Sequence, residues 1–80
     1  MGRKLKTPPP ASVGANVRRL REALGLRQED LASRAGVSMA LVYALESKDR
    51  GPTLRSAHRI ALALGVTLDD LVSGVRPHAN

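Results

Sequence analysis

The chain has 80 residues, with 13 Lys and Arg against 7 Asp and Glu, a net charge of +6 and a pI of about 11.2. That length allows one domain, burying little more than about 60% of the surface its unfolded chain exposes. The absence of Cys, Phe and Trp, with Tyr43 as the single aromatic residue, excludes a disulfide framework, a thiolate metal site, a cysteine nucleophile and a stacking platform for single-stranded nucleic acid. What is left is a core of Leu, Val, Ala and Ile, the composition of a compact helical bundle. A surface this basic puts polyanions first among partners, but charge alone does not choose among DNA, RNA and acidic lipid.

Residues 1–12, "MGRKLKTPPPAS", carry Arg3, Lys4 and Lys6, no acid and three consecutive prolines. They are expected to form a flexible basic arm with a stiff, polyproline-like joint, because the prolines donate no helix hydrogen bonds and the segment has little to bury. The charged start resembles a signal peptide, yet "TPPP" follows where an apolar core would have to be, and no run approaches about 18 apolar residues. A soluble, unexported, cytoplasmic protein is the expectation, with no membrane partner.

A domain over 13–74 follows, with a short tail over 75–80. Val13, Val17, Leu20 and Leu24 fall at i, i+4, i+7 and i+11, one stripe of a first helix that Ser12 caps and Gly25 ends. A second helix runs from about Gln28 to Ala35 and stops at Gly36, which takes the left-handed conformation cheaply. Ser38 caps a third, ending near Ser47. "KDRGP" is a polar turn, after which Thr53 caps a fourth helix whose Leu54, Ala57, Ile60, Ala61 and Leu64 form one face, ended by Gly65. "TLDD" is a Thr-x-x-Asp capping box opening a fifth helix through about Val72, with Gly74 after it. Linkers of two to six residues suit an all-α domain.

Residues 28–47, "QEDLASRAGVSMALVYALES", have the pattern of a helix-turn-helix. Two helices crossing near a right angle need a small residue where their backbones approach, and Ala32 is there; the turn wants a glycine four residues on, and Gly36 is there. Leu31, Ala35, Val37, Val42 and Leu45 land on the inner face. Together with "VRRLREALGLRQEDLA", "LESKDRGP" and "ALGVTLDDLV", this stretch resembles the Cro/C1-type (Xre-type) helix-turn-helix family of phage repressors and bacterial regulators over about residues 13–73. The resemblance implies a five-helix, lambda-repressor-like domain. It also implies a sequence-specific regulator of transcription, repressor-like, with the third helix in the major groove of double-stranded DNA, commonly as a homodimer on a two-fold site.

Carried over by position, the family's phosphate contacts fall on Gln28, Lys48 and Arg50, and its base-edge contacts on Ser38, Met39, Ala40, Tyr43 and Ala44. Helix N-termini and cationic turns both favour anions, which agrees with the first set. Arg21 and Glu46 stand where the family commonly has an ion pair, and here they carry the opposite charges one needs. Two departures stand out. Arg27 replaces the small capping residue that often precedes the second helix, giving up a cap but adding a cation beside the phosphate site. The third helix carries no Arg, Lys, Gln or Asn between Ser38 and Glu46 to bond a base edge.

Bland readings cover most other residues. Leu20, Leu24, Leu31, Val42, Leu45, Ile60, Leu64 and Leu71 are expected in the core. Arg18, Arg19, Arg34, Arg55 and Arg59 read as solvated helix faces. His58 and His78 have no partner at metal-ligand spacing, so no metal is expected. Asp69 and Asp70 fit a helix start better than a catalytic pair, and there is no Gly-rich phosphate loop or nucleophile with a base. No enzyme activity, cofactor or small-molecule ligand is expected. The apolar third helix leaves two readings open: DNA read by shape and apolar contact, or the same fold used as a protein-interaction module, as in an antitoxin or assembly factor; Arg3, Lys4 and Lys6 of the arm are open between DNA contacts and a solubility tail.

Overall fold

The computed structural model describes residues 12–48 and 52–73, and these form five helices with no strand among them. Arg3, Lys4 and Lys6 of the expected arm, Arg50, Gly74 and residues 75–80 lie outside the described residues. The helices are α1 (Val13–Ala23), α2 (Gln28–Ala35), α3 (Met39–Lys48), α4 (Leu54–Leu64) and α5 (Leu68–Ser73).

Local chemistry sets nearly every boundary. The Ser12 hydroxyl accepts from the Ala15 amide at 3.1 Å, Ser38 from Leu41 at 3.0 Å and Thr53 from Ser56 at 3.1 Å, each satisfying an amide that the first helical turn leaves without a partner. At the start of α5 the box is reciprocal: Thr67 N–H donates to Asp70 Oδ2 at 2.9 Å and Asp70 N–H to Thr67 Oγ1 at 3.0 Å. Gly36 closes α2 at φ +70°, a conformation strained for any residue with a Cβ. Its amide and that of Val37 bond back to Ser33 and Ala32, so the chain reverses within two residues and enters α3.

Val17, Leu31, Val42, Leu45, Ile60 and Leu71 are fully or almost fully buried and make one cluster with Leu20, Ala32, Ala35, Ala61 and Leu64. Every helix contributes to it. Leu24, expected in the core, and Leu54, expected on the shared face of the fourth helix, do not. Leu24 is 53% exposed, because α1 ends at Ala23 and the chain turns at Gly25, taking Leu24 off the stripe that periodicity assigned it. Leu54 is 76% exposed, since the first residue of α4 lies beyond the end of the packed face that Ile60, Ala61 and Leu64 share.

One buried polar residue was invisible to the hydrophobic pattern. Asn16, 1% exposed, sits on the inner face of α1 and donates from Nδ2 to the Leu71 carbonyl at 2.6 Å, tying the first helix to the last across 55 positions. The main chain of α5's last turn thereby gains a donor inside the core.

Candidate functional site

The α2–α3 pair packs on the rest of the domain through Leu31, Ala32, Ala35, Val42 and Leu45, all buried. With Val42 and Leu45 turned inward, the opposite side of α3 is left to solvent. Ser38, Met39, Ala40 and Tyr43 are exposed, Met39 and Tyr43 by about half their surface, while Ala44 is half-buried at the edge of this face. Four of the five expected base-contact positions thus share an open, small-featured surface, and the fifth borders it.

The orientation of α3 is set from its C-terminal end. Arg21 on α1 makes a two-pronged bond with Glu46, Nε to Oε2 at 2.8 Å and Nη2 to Oε1 at 2.9 Å, the geometry in which a guanidinium and a carboxylate match best. The side chains are only 10% and 2% exposed. Nη1 of Arg21 donates to the Leu26 carbonyl at 2.6 Å, in the linker that leads into α2. The hydrogen bond to Glu46, with its charge, holds the Arg21 guanidinium above its ordinary pKa against the opposing effect of burial.

Gln28 belongs to the same group. Its Nε2 donates to Glu46 Oε1 at 3.1 Å, so the side chain expected at a phosphate is bonded to the ion pair. Position 28 opens α2, which leaves its backbone amide at a helix N-terminus, facing where an anion is favoured.

Arg27 is 74% exposed at the side chain and lies against Glu29, 2.9 Å, and Asp30, 3.3 Å. The missing cap is made good from the other direction: Asp30 Oδ2 accepts the Arg27 amide at 2.9 Å. That backbone hydrogen bond first, then the Arg27 side chain, holds the Asp30 carboxyl below the usual carboxylate range. Lys48 ends α3 and is exposed. Of the four expected phosphate contacts, the structure places Arg27, Gln28 and Lys48 at the two ends of the α2–α3 unit, whereas Arg50 lies outside the described residues.

One further feature of the chain emerges only in three dimensions. Arg59, expected to be a solvated cation, donates from Nη1 to the Gly36 carbonyl at 3.3 Å and so bridges α4 to the turn between α2 and α3. Arg18 does behave as expected, in an exposed i,i+4 pair with Glu22 at 3.2 Å. Among the described residues no His, Cys, Asp and Glu group is arranged to hold a metal, and no helix is long and apolar enough to cross a membrane.

Residues 17–71 match the sequence model of a family described as helix-turn-helix. An uncharacterised HTH-type transcriptional regulator of Sinorhizobium fredii is 41% identical over 61 residues, which are 76% of this chain and 79% of the relative. Among solved structures, the restriction-modification controller protein C.AhdI from Aeromonas hydrophila is 34% identical with a TM-score of 0.70, over 74% of this chain and 89% of that one. The P22 c2 repressor in complex with a synthetic operator superposes with a TM-score of 0.75 at 26% identity, over 81% of this chain and 98% of the repressor.

Proposed function

Because the chain belongs to the helix-turn-helix family of Cro/C1 (Xre) type, we propose that it is a DNA-binding transcriptional regulator whose α3 enters the major groove. The observation that carries the reading is the pairing of a locked helix with an open face: Arg21 and Glu46 fix α3 at one end, and Ser38, Met39, Ala40 and Tyr43 stay uncovered along its outer side. A rigid helix with a free edge is what direct and shape readout require. Ala44 completes the reading edge.

Phosphate contacts then come from the frame around that helix. The Gln28 amide at the start of α2, Arg27 beside it, Lys48 at the end of α3 and Arg50 two positions further along the chain supply donors and positive charge. Arg3, Lys4 and Lys6 add charge that can follow the backbone or a minor groove. The protein works as a homodimer on a two-fold site, in the cytoplasm at the nucleoid, and takes no cofactor for binding. An interaction module of the same fold is not favoured: a flanking frame of cations serves a phosphate backbone and has no use at an apolar protein interface.

Titration of mixed-sequence duplex over a range of salt tests this. Tight binding that weakens steeply with salt is expected, followed by a palindromic motif when bound duplexes are selected from a random pool. Binding that is absent at low salt would overturn it.

A further inference from the structure

A cleft of about 340 Å³ lies between the α2–α3 turn and α4, lined by Gly36, Val37, Ser38 and Leu41 on one side and Arg55, Ser56 and Arg59 on the other. Its volume is at the lower end for ligand sites, about 300–1,000 Å³. The lining holds two guanidinium groups and two hydroxyls, and no carboxylate. Arg55 and Arg59 are four residues apart on α4, a spacing at which like charges face each other and destabilise a helix. Among the described residues neither is paired with an acid, although Arg18, Arg21 and Arg27 each have a carboxylate partner. Arg59, in the lining, commits one N–H to the Gly36 carbonyl and keeps donors to spare, and among the described residues Arg55 commits none. Ser38 and Ser56 both use their oxygens as acceptors, from Leu41 N–H and from Ser56's own neighbour Thr53, leaving their O–H protons to be donated.

We propose that this cleft binds a phosphate group, with Arg55 and Arg59 as its cationic ligands and the hydroxyls of Ser38 and Ser56 as further donors. A phosphate oxygen set matches planar N–H donors and hydroxyls, and it removes the repulsion between the two arginines. The phosphate comes either from the DNA backbone, which makes the cleft a third clamp beside the reading face, or from a free phosphate ester. In the second case the ester rests against Ser38, the first residue of that face, and is placed to interfere with reading. The DNA alternative rests on the function proposed above; the cleft's affinity for phosphate does not.

The experiment uses the full chain, isotope-labelled and titrated with inorganic phosphate against chloride at constant ionic strength, beside duplex titrations over a range of salt. Saturable shifts are expected at the amides of Gly36, Val37, Ser38 and Ser56, weakened at least tenfold by Arg55→Gln and only partly recovered by Arg55→Lys, which returns the charge without the planar donors. Among the described residues Arg55 makes no hydrogen bond or ion pair, so the fold should survive the change, and a melting temperature no lower than that of the wild type checks this. If DNA supplies the phosphate, Arg55→Gln flattens the slope of log affinity against log salt by about 1. If a free ester does, the slope stays put while the phosphate shifts are lost. The absence of both a saturable shift and a change of slope would overturn the proposal. A wild-type chain that binds no duplex would sink the regulator reading and leave the phosphate titration to decide the cleft alone.

Discussion

Arg21 and Glu46, 25 positions apart, are joined by two parallel hydrogen bonds of 2.8 and 2.9 Å in a place almost closed to water. A pair so enclosed stabilises little in net terms, because both ions lost their hydration, but breaking it strands a charge. Glu46→Ala is therefore expected to cost about 3–5 kcal/mol in denaturant unfolding, whereas Glu22→Ala, from an exposed pair with Arg18, costs less than about 1 kcal/mol. Replacing both partners together, Arg21→Met with Glu46→Leu, should cost less than Glu46→Ala alone. The double variant should still lose DNA affinity, since apolar packing does not reproduce the angle of α3. A double variant no more stable than the single one would show that the pair's worth lies elsewhere.

Asn16 invites a second measurement. Its amide is the donor for the Leu71 carbonyl at 2.6 Å in the core, so Asn16→Ala leaves a buried acceptor unmet and should cost about 1–3 kcal/mol. Asn16→Asp removes the same donor and puts a carboxylate beside a carbonyl oxygen, so at neutral pH it should be the worse of the two. Equal losses in the two variants would mean that packing, and not the hydrogen bond, is what the position supplies.

The residues that were legible in the sequence and those that were not divide along a physical line. Ser12, Gly36, Ser38, Thr53, Gly65 and the Thr67–Asp70 box act within three or four residues of themselves, so their roles are written in neighbouring letters. Leu24 and Leu54 misled because periodicity keeps counting where the helix has stopped or has run past its packed face. Asn16 with Leu71, Arg59 with Gly36, and Gln28 with Glu46 are pairings across 55, 23 and 18 positions made by single polar atoms. No spacing rule contains them. The open face of α3 was legible in outline, since Val42 and Leu45 had to be inside, but the cleft beside it depends on how α4 crosses the turn.

Asp30 gives a pH signature. Its folded-state pKa lies below the ordinary value, first through the Arg27 amide and then through the Arg27 side chain. A depressed carboxylate contributes stability above its unfolded pKa, about 3.9, and loses it as pH falls through the lower folded value. The difference between wild type and Asp30→Asn should thus be constant from neutral pH down to about 5 and shrink in more acid solution. Urea midpoints across that range check the sign, and a difference that grew on acidification would reverse it.

The apolar face of α3 and the cations around it should separate in one pair of experiments. Met39 and the alanines can pack on a thymine methyl, small side chains let the helix approach closely, and the Tyr43 hydroxyl can bond a phosphate or a base. None of these contacts displaces many counterions. Met39→Ala and Tyr43→Phe are accordingly expected to change which duplexes are selected from a random pool while leaving the salt slope nearly constant. Lys48→Ala and Arg50→Ala should do the reverse, each lowering the slope by about 0.9 for the phosphate it gives up, with little change in preferred sequence. Deleting residues 1–10 should act like the second pair, by up to about 3 in slope for Arg3, Lys4 and Lys6 together. The division follows from physics, because phosphate charge is the same at every step of the duplex whereas methyl groups and groove width are not. Should changes at Met39 and Tyr43 leave duplex selection untouched and abolish association with another protein, α3 is an interaction surface and the cations beside it serve something other than DNA.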